Sequence, residues 1–297
     1  MSRRILITGA FGQLGEAVIH ELHPHFELTA TGLSVPENFS HNCDTATLDI
    51  TDRTSTRNCV KKIDPDVVVH LASHTNVDGC EQNKEKAWQV NVVGTENLVD
   101  SIRETSAKFI LISSDYIFNG KSGPYDESAI PDPINYYGKT KLAAENAVRG
   151  SGSHWVIIRT IVLYGKSSKS ESSFVNWVVS SLEASKNITV VNDQWGNPTW
   201  TGGLAEAIKM SIILDIRGIF NYGGAEYLTR FEFARKIAEV FSLDVSLISP
   251  TTTETLGQAA PRPLKSGLVT EKVEEILGLR TYSTGYCLRK VKEGIVV

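Results

Sequence analysis

The chain has 297 residues, of which 41% are hydrophobic and 22% are charged, and its formal net charge is −4. This length suits one large domain or two modest domains that share a cleft. The slightly acidic balance gives no reason to expect nucleic acid or an anionic membrane as a partner. No apolar run approaches the roughly 20 residues that a membrane helix needs. The N-terminus, MSRRILITGAFG, shows no signal-peptide pattern, and the four cysteines are scattered, so we expect a reduced, cytoplasmic protein.

Short β-branched runs alternate with amphipathic stretches through the first half of the chain. The predicted strands are RILIT (4–8), FELTAT (26–31), ATLDI (46–50), DVVVHLA (66–72), KFILISS (108–114), HWVIIRT (154–160) and IFNY (219–222). A long helix is predicted over EKAWQVNVVGTENLVDSIRE, and Thr229 with Glu232 fits a capping box at the start of a later helix. Strands that alternate with helices predict an α/β fold, a Rossmann-like doubly wound parallel sheet.

The second half of the chain is less regular and suggests a smaller C-terminal cap domain. SSKSESS (167–173) is predicted to be a surface loop. We predict a dinucleotide-binding domain of residues 1–164 with a returning segment, 201–224. Residues 165–200 and 225–297 then form a substrate-binding cap over the carboxyl ends of the strands, where open α/β sheets bind their ligands.

Three glycines, Gly9, Gly12 and Gly15, follow the first predicted strand in ITGAFGQLG. A dinucleotide site needs a tight turn, a backbone that a pyrophosphate can approach, and a helix packed closely on the sheet. Because the glycines stand at the first strand-to-helix turn of an alternating pattern, they predict such a site.

The end of the second strand bears on the choice of cofactor. Dinucleotide domains often have an acid there that holds the adenosine ribose, but this chain has Thr31 and Gly32. The pattern therefore favours NADP, with NAD as the alternative. Asp49, at the end of the next strand, is a candidate for an adenine contact or for a helix cap.

Tyr137 and Lys141 stand four residues apart in NYYGKTK and share one face of a predicted helix. A phenol titrates near 10, and a nearby ammonium is expected to lower that pKa and so to assist proton exchange. Ser113 and Ser114 end a predicted core strand at the same sheet edge, where a hydroxyl can steady a developing oxyanion. The combination predicts reduction of a carbonyl, with Tyr137 as the proton donor.

These motifs resemble the extended short-chain dehydrogenase/reductase superfamily and, within it, the dTDP-4-dehydrorhamnose reductase family. The resemblance covers nearly the full chain and is carried by ITGAFGQLG, VNVVGTENL, ISSDYIFNG, NYYGKTKLAAE and NDQWGNPT. It implies NAD(P)H-dependent reduction of the 4-keto group of a dTDP-4-dehydro-6-deoxy sugar in dTDP-L-rhamnose biosynthesis. It also implies a nucleotide-sugar substrate and a monomer or homodimer.

The resemblance assigns roles to residues of three groups. The cofactor contacts would be Gly9, Phe11, Gly12, Gln13, Leu14, Gly15, Asp49, Ile50, Ala72, Ser73, His74, Thr75, Tyr137 and Lys141. The catalytic residues would be Ser114, Tyr137 and Lys141, and the substrate contacts would be Ser114 and Asp115. Val162 stands where some members have a substrate-binding Trp. Ala17 and a TGG stretch replace glutamates that bind Mg²⁺ in others, so no metal site is predicted.

Two other functions share the same motifs. The regulatory β subunit of methionine adenosyltransferase also has SSDY and YGKTK, so a non-catalytic, NADP-binding role is the alternative to an enzyme. A sugar-nucleotide dehydratase or epimerase on the same scaffold is the third possibility. A dehydratase typically needs an Asp-Glu pair after the strand-end hydroxyl, but here Tyr116 follows Asp115. His74 is a candidate for a site contact or for packing, and Trp195 and Trp200 are candidates for a wall around a nucleotide or for packing of the cap.

Overall fold

The structure is a computed structural model that describes residues 2–39, 43–166 and 173–296. Most of the predicted surface loop 167–173 lies outside the described residues. The strands are β1 (Arg4–Thr8), β2 (Glu27–Gly32), β3 (Asp44–Thr47), β4 (Val67–His70), β5 (Lys108–Ser114), β6 (His154–Thr160), β7 (Leu163–Tyr164), β8 (Ile188–Val191), β9 (Trp195–Gly196), β10 (Thr199–Trp200), β11 (Gly218–Tyr222), β12 (Leu228–Thr229) and β13 (Ile248–Thr251). The α-helices are α1 (Gln13–Leu22), α2 (Arg53–Ile63), α3 (Val77–Gln82), α4 (Lys84–Trp88), α5 (Gly94–Ile102), α6 (Tyr136–Arg149), α7 (Phe174–Glu183), α8 (Thr201–Ile213), α9 (Arg230–Phe241), α10 (Thr253–Leu256), α11 (Glu271–Leu277) and α12 (Thr284–Lys292).

Seven of the strands form one parallel sheet in the order β3-β2-β1-β4-β5-β6-β11. The strand order reverses between β1 and β4, and such a switch point opens a crevice at the carboxyl ends of the strands. The predicted α/β fold with a doubly wound parallel sheet is therefore confirmed.

Apolar side chains cover both faces of this sheet. Helices α1, α8 and α11 contribute to the core on one face, and α2, α5 and α6 contribute to the core on the other. The burial explains why β4 and β5 consist of wholly buried residues rather than alternating ones. Each fully buried aliphatic side chain contributes roughly 1.5–3 kcal/mol to folding.

Two predicted elements differ in more than their end residues from the observed ones. The strand predicted over 46–50 is β3, which begins and ends earlier, because its neighbour β2 ends at Gly32, opposite Thr47. The predicted long helix is divided: a π-helical turn, Gln89–Val93, stands between α4 and α5. Such turns accommodate an extra residue and are frequent at functional sites.

The remaining elements pack into a cap with its own core, built from α7, α9, α12, β8 and β13. The predicted capping box at the start of α9 is confirmed: the Glu232 amide donates to Thr229 Oγ1 at 3.0 Å, and the Thr229 amide donates to Glu232 Oε2 at 2.8 Å. The boundaries of the two predicted domains stay a prediction. Within the described ranges, no helix is long and apolar enough to cross a bilayer.

Candidate active site

The glycine-rich turn between β1 and α1 is shaped by close backbone packing. Gly9 has φ of +68°, and a Cβ there would lie 2.5 Å from the Ala72 nitrogen. A Cβ on Gly15 would lie 2.2 Å from the Ala10 oxygen. Gly12 is less confined, with the nearest atom 3.4 Å from a Cβ, and it is the N-cap of α1. Gly9 and Gly15 thus hold the turn together, and the amides that follow Gly12 are available to an anion.

A cleft of about 890 Å³ runs along the carboxyl edge of the sheet. It is lined by most of the predicted site residues, namely Gly9, Phe11, Gly12, Gln13, Leu14, Gly15, Asp49, Ile50, Ala72, Ser73, Thr75, Ser114, Asp115, Tyr137 and Lys141. His74 is the predicted residue that does not line this cleft. Its amide donates to Asn91 Oδ1 at 2.7 Å, and its carbonyl accepts from Asn91 Nδ2, so the contacts of its backbone are structural.

Asp49 lies in the cleft wall and does not cap a helix. Its carboxylate accepts hydrogen bonds from the Thr51 amide at 2.9 Å and the Thr51 hydroxyl at 2.8 Å. The N-cap of α2 is Asp52, whose side chain accepts from the amides of Thr54 and Ser55. The capping alternative for Asp49 was therefore wrong.

The end of β2 is closely packed against Phe11 and β1. A Cβ on Gly32 would lie 2.8 Å from Cδ2 of Phe11, while the Thr31 hydroxyl donates to the Ile7 carbonyl within the sheet. Leu33 and Ser34 follow and line the cleft. A threonine and a glycine thus stand where many dinucleotide domains have a carboxylate.

Ser114 ends β5 and is brought next to Tyr137 by a close helix contact. The Tyr137 phenol lies within hydrogen-bond reach of the Ser114 hydroxyl. Helix α6 begins at Tyr136, one residue before Tyr137, and is capped by Asn135. A Cβ on Gly138 would lie 2.0 Å from the Tyr116 carbonyl oxygen. Because a larger residue at Gly138 would push the helix away, the YGK sequence fixes the approach of the phenol to the strand end.

Burial dominates the electrostatics of the Tyr137–Lys141 pair. Burial raises the pKa of Tyr137 above its ordinary value, and the hydrogen bond with Ser114 opposes that shift. Burial also lowers the pKa of Lys141 to about 8, while the charge of Glu145 acts in the opposite direction. Lys141 Nζ donates to the Ile112 carbonyl at 2.7 Å. The expectation of a lowered pKa for Tyr137 was wrong for the protein alone, because burial disfavours the phenolate and raises its pKa.

Asp115 is almost fully buried beside these groups. Its carboxylate accepts from the Ser266 hydroxyl at 2.5 Å and from the Ser114 hydroxyl at 3.2 Å. Burial raises its pKa to about 6, against the effect of both hydrogen bonds. Because Ser266 comes from the C-terminal part of the chain, Asp115 ties the strand end to the segment that covers it.

Two residues that organise the site were not predicted from the sequence. Asn91, in the π-helical turn, accepts from the Ser73 hydroxyl at 2.9 Å and donates to Thr140 Oγ1 at 2.9 Å, so it joins the cleft wall to α6. Arg230, the first residue of α9, lines the cleft from the cap side. An asparagine within the apolar VNVV run was the available signal for Asn91; no local pattern marks Arg230.

The two candidate tryptophans have different surroundings. Trp195 stacks on Tyr227 with ring centroids 5.5 Å apart and lines a small cavity next to Asp115. Trp200 is buried and packs edge-on against Tyr282 in the cap core. Val162, at the position where some family members have a tryptophan, lines the cleft with φ of +45°, a conformation that β-branched residues rarely adopt.

The family model of the RmlD substrate binding domain matches residues 3–291 of this chain. The chain belongs to this family. Among its relatives, methionine adenosyltransferase 2 subunit beta of Xenopus tropicalis is 34% identical over 289 residues, which are 94% of this chain and 84% of that protein. The spore coat polysaccharide biosynthesis protein SpsK of Bacillus subtilis is 33% identical, over 92% of this chain and 91% of its own length. The crystal structure of dTDP-4-dehydrorhamnose reductase from Bacillus anthracis in complex with NADP superposes on this chain with a TM-score of 0.89. The two chains are 31% identical, and the match covers 99% of this chain and 100% of the reductase chain.

Proposed function

We propose that the protein is a nucleotide-sugar 4-ketoreductase that uses NADPH to reduce a dTDP-4-dehydro-6-deoxy sugar. One observation carries the proposal: Ser114, Tyr137 and Lys141 line the same cleft as the glycine-rich turn. A phosphate-binding turn and a proton-donating phenol in one cleft are what hydride transfer to a carbonyl requires. The similarity to the Bacillus anthracis reductase supports the reaction class.

The residues of the cleft fit a dinucleotide. The amides after Gly12 would hold the pyrophosphate, and Asp49 and Ile50 would border the adenosine. Ser34 stands near the end of β2, where a hydroxyl suits the 2′-phosphate of NADP better than a carboxylate would. The cofactor, when bound, supplies the hydride.

The side chains at the other end of the cleft would handle the proton. Because burial raises its pKa, Tyr137 keeps its proton at neutral pH and can donate it to the substrate oxygen. The Ser114 hydroxyl would hydrogen-bond the same oxygen and orient it. Lys141, an ammonium below its pKa of about 8, would favour the phenolate that remains after the transfer.

A regulatory role is the second candidate, and the similarity to methionine adenosyltransferase 2 subunit beta favours it. In that case the protein would bind the dinucleotide without reducing a sugar and would bind a catalytic partner instead. The intact set of Ser114, Tyr137 and Lys141 supports the enzyme over this alternative.

The test is a turnover assay with purified protein, NADPH and a dTDP-4-keto-6-deoxyhexose, in which the nicotinamide absorbance is followed. We expect oxidation of NADPH that falls about 10²- to 10⁴-fold in Tyr137→Phe, the range for loss of a general acid. Tyr136→Phe is the matched control, because the Tyr136 ring faces Lys84 Nζ at 5.5 Å instead. Tight binding of NADPH without turnover, together with binding of a methionine adenosyltransferase catalytic subunit, would instead establish the regulatory role.

A further inference from the structure

An arginine of the cap lies where two cavities meet. Arg230 lines the large cleft together with Ser114 and Tyr137. It also lines a smaller cavity of about 20 Å³ under the cap, with Trp195 and Ser266. A side chain in this position faces whatever molecule reaches from the reacting hydroxyls toward the cap.

The backbone and stem of Arg230 are held in place. Its amide donates to the Gln194 carbonyl at 3.0 Å, and it directly follows Thr229, the N-cap of the capping box. The guanidinium carbon lies 5.4 Å from the centre of the Phe174 ring. The cation is therefore positioned before any ligand binds.

Arg230 has one acidic neighbour in the fold but no direct ion pair with it. The guanidinium is hydrogen-bonded to the Tyr116 hydroxyl, and the charge of the Asp115 carboxylate acts on it from nearby. Nearby Arg262, by contrast, forms an ion pair with Asp78 at 2.9 Å. Among the described residues, no ion pair includes Arg230.

The position of Arg230 in its helix is electrostatically unfavourable. It is the first residue of α9, and the N-terminus of a helix attracts anions and repels cations. A residue that opposes the local preference is expected where function requires it. A bound anion would be stabilised by the guanidinium and by the helix terminus together.

This anion is not the pyrophosphate of the dinucleotide. The glycine-rich turn follows β1 and lines the large cleft alone, whereas Asp115, after β5, and Val162, after β6, line both cavities with Arg230. Strand β4 separates β1 from β5, and neighbouring strands lie about 4.8 Å apart, so the two sheet positions are about 10 Å apart.

We propose that Arg230 binds the phosphate groups of the nucleotide-sugar substrate and thereby sets the direction in which the sugar enters from the cap. The inference rests on the proposed function, which supplies a substrate with a diphosphate. A guanidinium presents a planar fork of donors that matches phosphate oxygens in a bidentate contact.

The test measures binding by calorimetry on protein saturated with NADP⁺. The ligands are dTDP, UDP, GDP and ADP, each compared with its nucleoside. We expect at least one diphosphate to bind the wild type more tightly than its nucleoside does. Arg230→Met should weaken that binding about 10- to 100-fold, as expected for loss of a charge-assisted contact, with nucleoside binding unchanged.

Two further variants and two further measurements make the result specific. Arg230→Lys, which keeps the charge but not the fork, should show a smaller loss than Arg230→Met. Arg235→Met removes an exposed cation from the same helix and should leave binding unchanged. NADP⁺ affinity and melting temperature should be the same in Arg230→Met and the wild type.

Several outcomes would overturn the assignment. They are equal diphosphate affinity in Arg230→Met and the wild type, a matching loss of NADP⁺ affinity in Arg230→Met, and no advantage of any diphosphate over its nucleoside in the wild type.

Turnover separates this inference from the proposed function. NADPH oxidation with an unchanged KM in Arg230→Met refutes the role of Arg230 alone. Diphosphate binding through Arg230 without any oxidation refutes the reductase alone.

Discussion

Lys141 is a buried cation whose cost to stability follows from its pKa. Burial lowers that pKa from 10.5 to about 8, which corresponds to about 3 kcal/mol. Its hydrogen bond to the Ile112 carbonyl offsets part of this cost, about 1 kcal/mol. The folded protein is thus less stable with a lysine at this position than it would be with an apolar residue, as is common where function requires a particular side chain.

We predict that Lys141→Met unfolds at a higher urea concentration than the wild type at pH 7, with a gain of about 1–2 kcal/mol in the free energy of unfolding, while the proposed turnover of NADPH is lost. Between pH 8 and 10.5 the unfolded wild type binds the proton that the folded state has released, so wild-type stability rises with pH there. The advantage of the variant should therefore shrink as the pH rises through this window.

Lys139→Met is the control for this prediction, since Lys139 is exposed on the same helix. It should unfold like the wild type at every pH. A Lys141→Met variant that is less stable than the wild type at pH 7, or whose difference from it does not change up to pH 10.5, would contradict the assigned burial cost.

At the residue scale, the sequence predicts contacts within one helix better than contacts between distant segments. Tyr137 and Lys141 are linked by helical spacing, so both could be identified directly. Asp115 meets Ser266 from 151 positions away, and Arg230 reaches the cleft only through the fold of the cap. No local pattern encodes such contacts, and the burial that sets the pKa of Tyr137 is equally a property of the folded molecule.

At the element scale, α6 is fixed to β5 by two successive contacts. Lys141 Nζ donates to the Ile112 carbonyl, and the Ser113 hydroxyl donates to Glu145 Oε1 at 2.5 Å. Glu145 also accepts from Arg159 of β6 through both carboxylate oxygens, at 3.0 and 2.8 Å. This buried pair therefore holds the helix that carries Tyr137 against two strands of the sheet.

We predict strong coupling between Glu145 and Arg159. Glu145→Gln and Arg159→Met should each lower the free energy of unfolding by about 3–5 kcal/mol, because each leaves a buried partner without its counter-charge. The double variant Glu145→Gln/Arg159→Met should cost less than the sum of the two single changes. Urea unfolding measures all three.

An exposed ion pair provides the comparison for this cycle. Arg103 and Asp100 are 3.0 Å apart at the end of α5, with both side chains more than a third exposed. Arg103→Met should cost less than about 1 kcal/mol. Additive losses at Glu145 and Arg159, or losses as small as that at Arg103, would show that the buried pair does not fix the helix.

Element boundaries depended on neighbours that the sequence does not show. The buried β5 and β6 were predicted with their observed bounds, since continuous apolar runs mark strands covered on both faces. Strand β3 was misplaced because the end of its partner β2 decides where its ladder stops. The π-helical turn was missed because apolar spacing averages over one extra residue in a long helix.

At the scale of the whole molecule, the order of strands and helices was predictable from alternation alone. The glycine-rich turn could be placed at the centre of the sheet because such turns follow the first strand of doubly wound folds. The packing of the cap over the cleft could not, since its short strands and irregular segments carry no periodic signal. The same difference applies to the cleft. Local motifs predict the residues at its glycine-rich end, whereas the residues at its cap end come together only through tertiary contacts.

Transfer of hydride to the sugar is most directly measured with NADPH deuterated on the reactive nicotinamide carbon, prepared separately for each face. Mass spectrometry then follows the dTDP-sugar after incubation with the wild-type protein. We predict a reduced sugar that carries one deuterium on the former carbonyl carbon from one of the two cofactors, formed about 10²- to 10⁴-fold more slowly by Tyr137→Phe. An unlabelled, unreduced sugar in the presence of fully bound NADPH would contradict the reductase and leave a protein that binds the dinucleotide without using it.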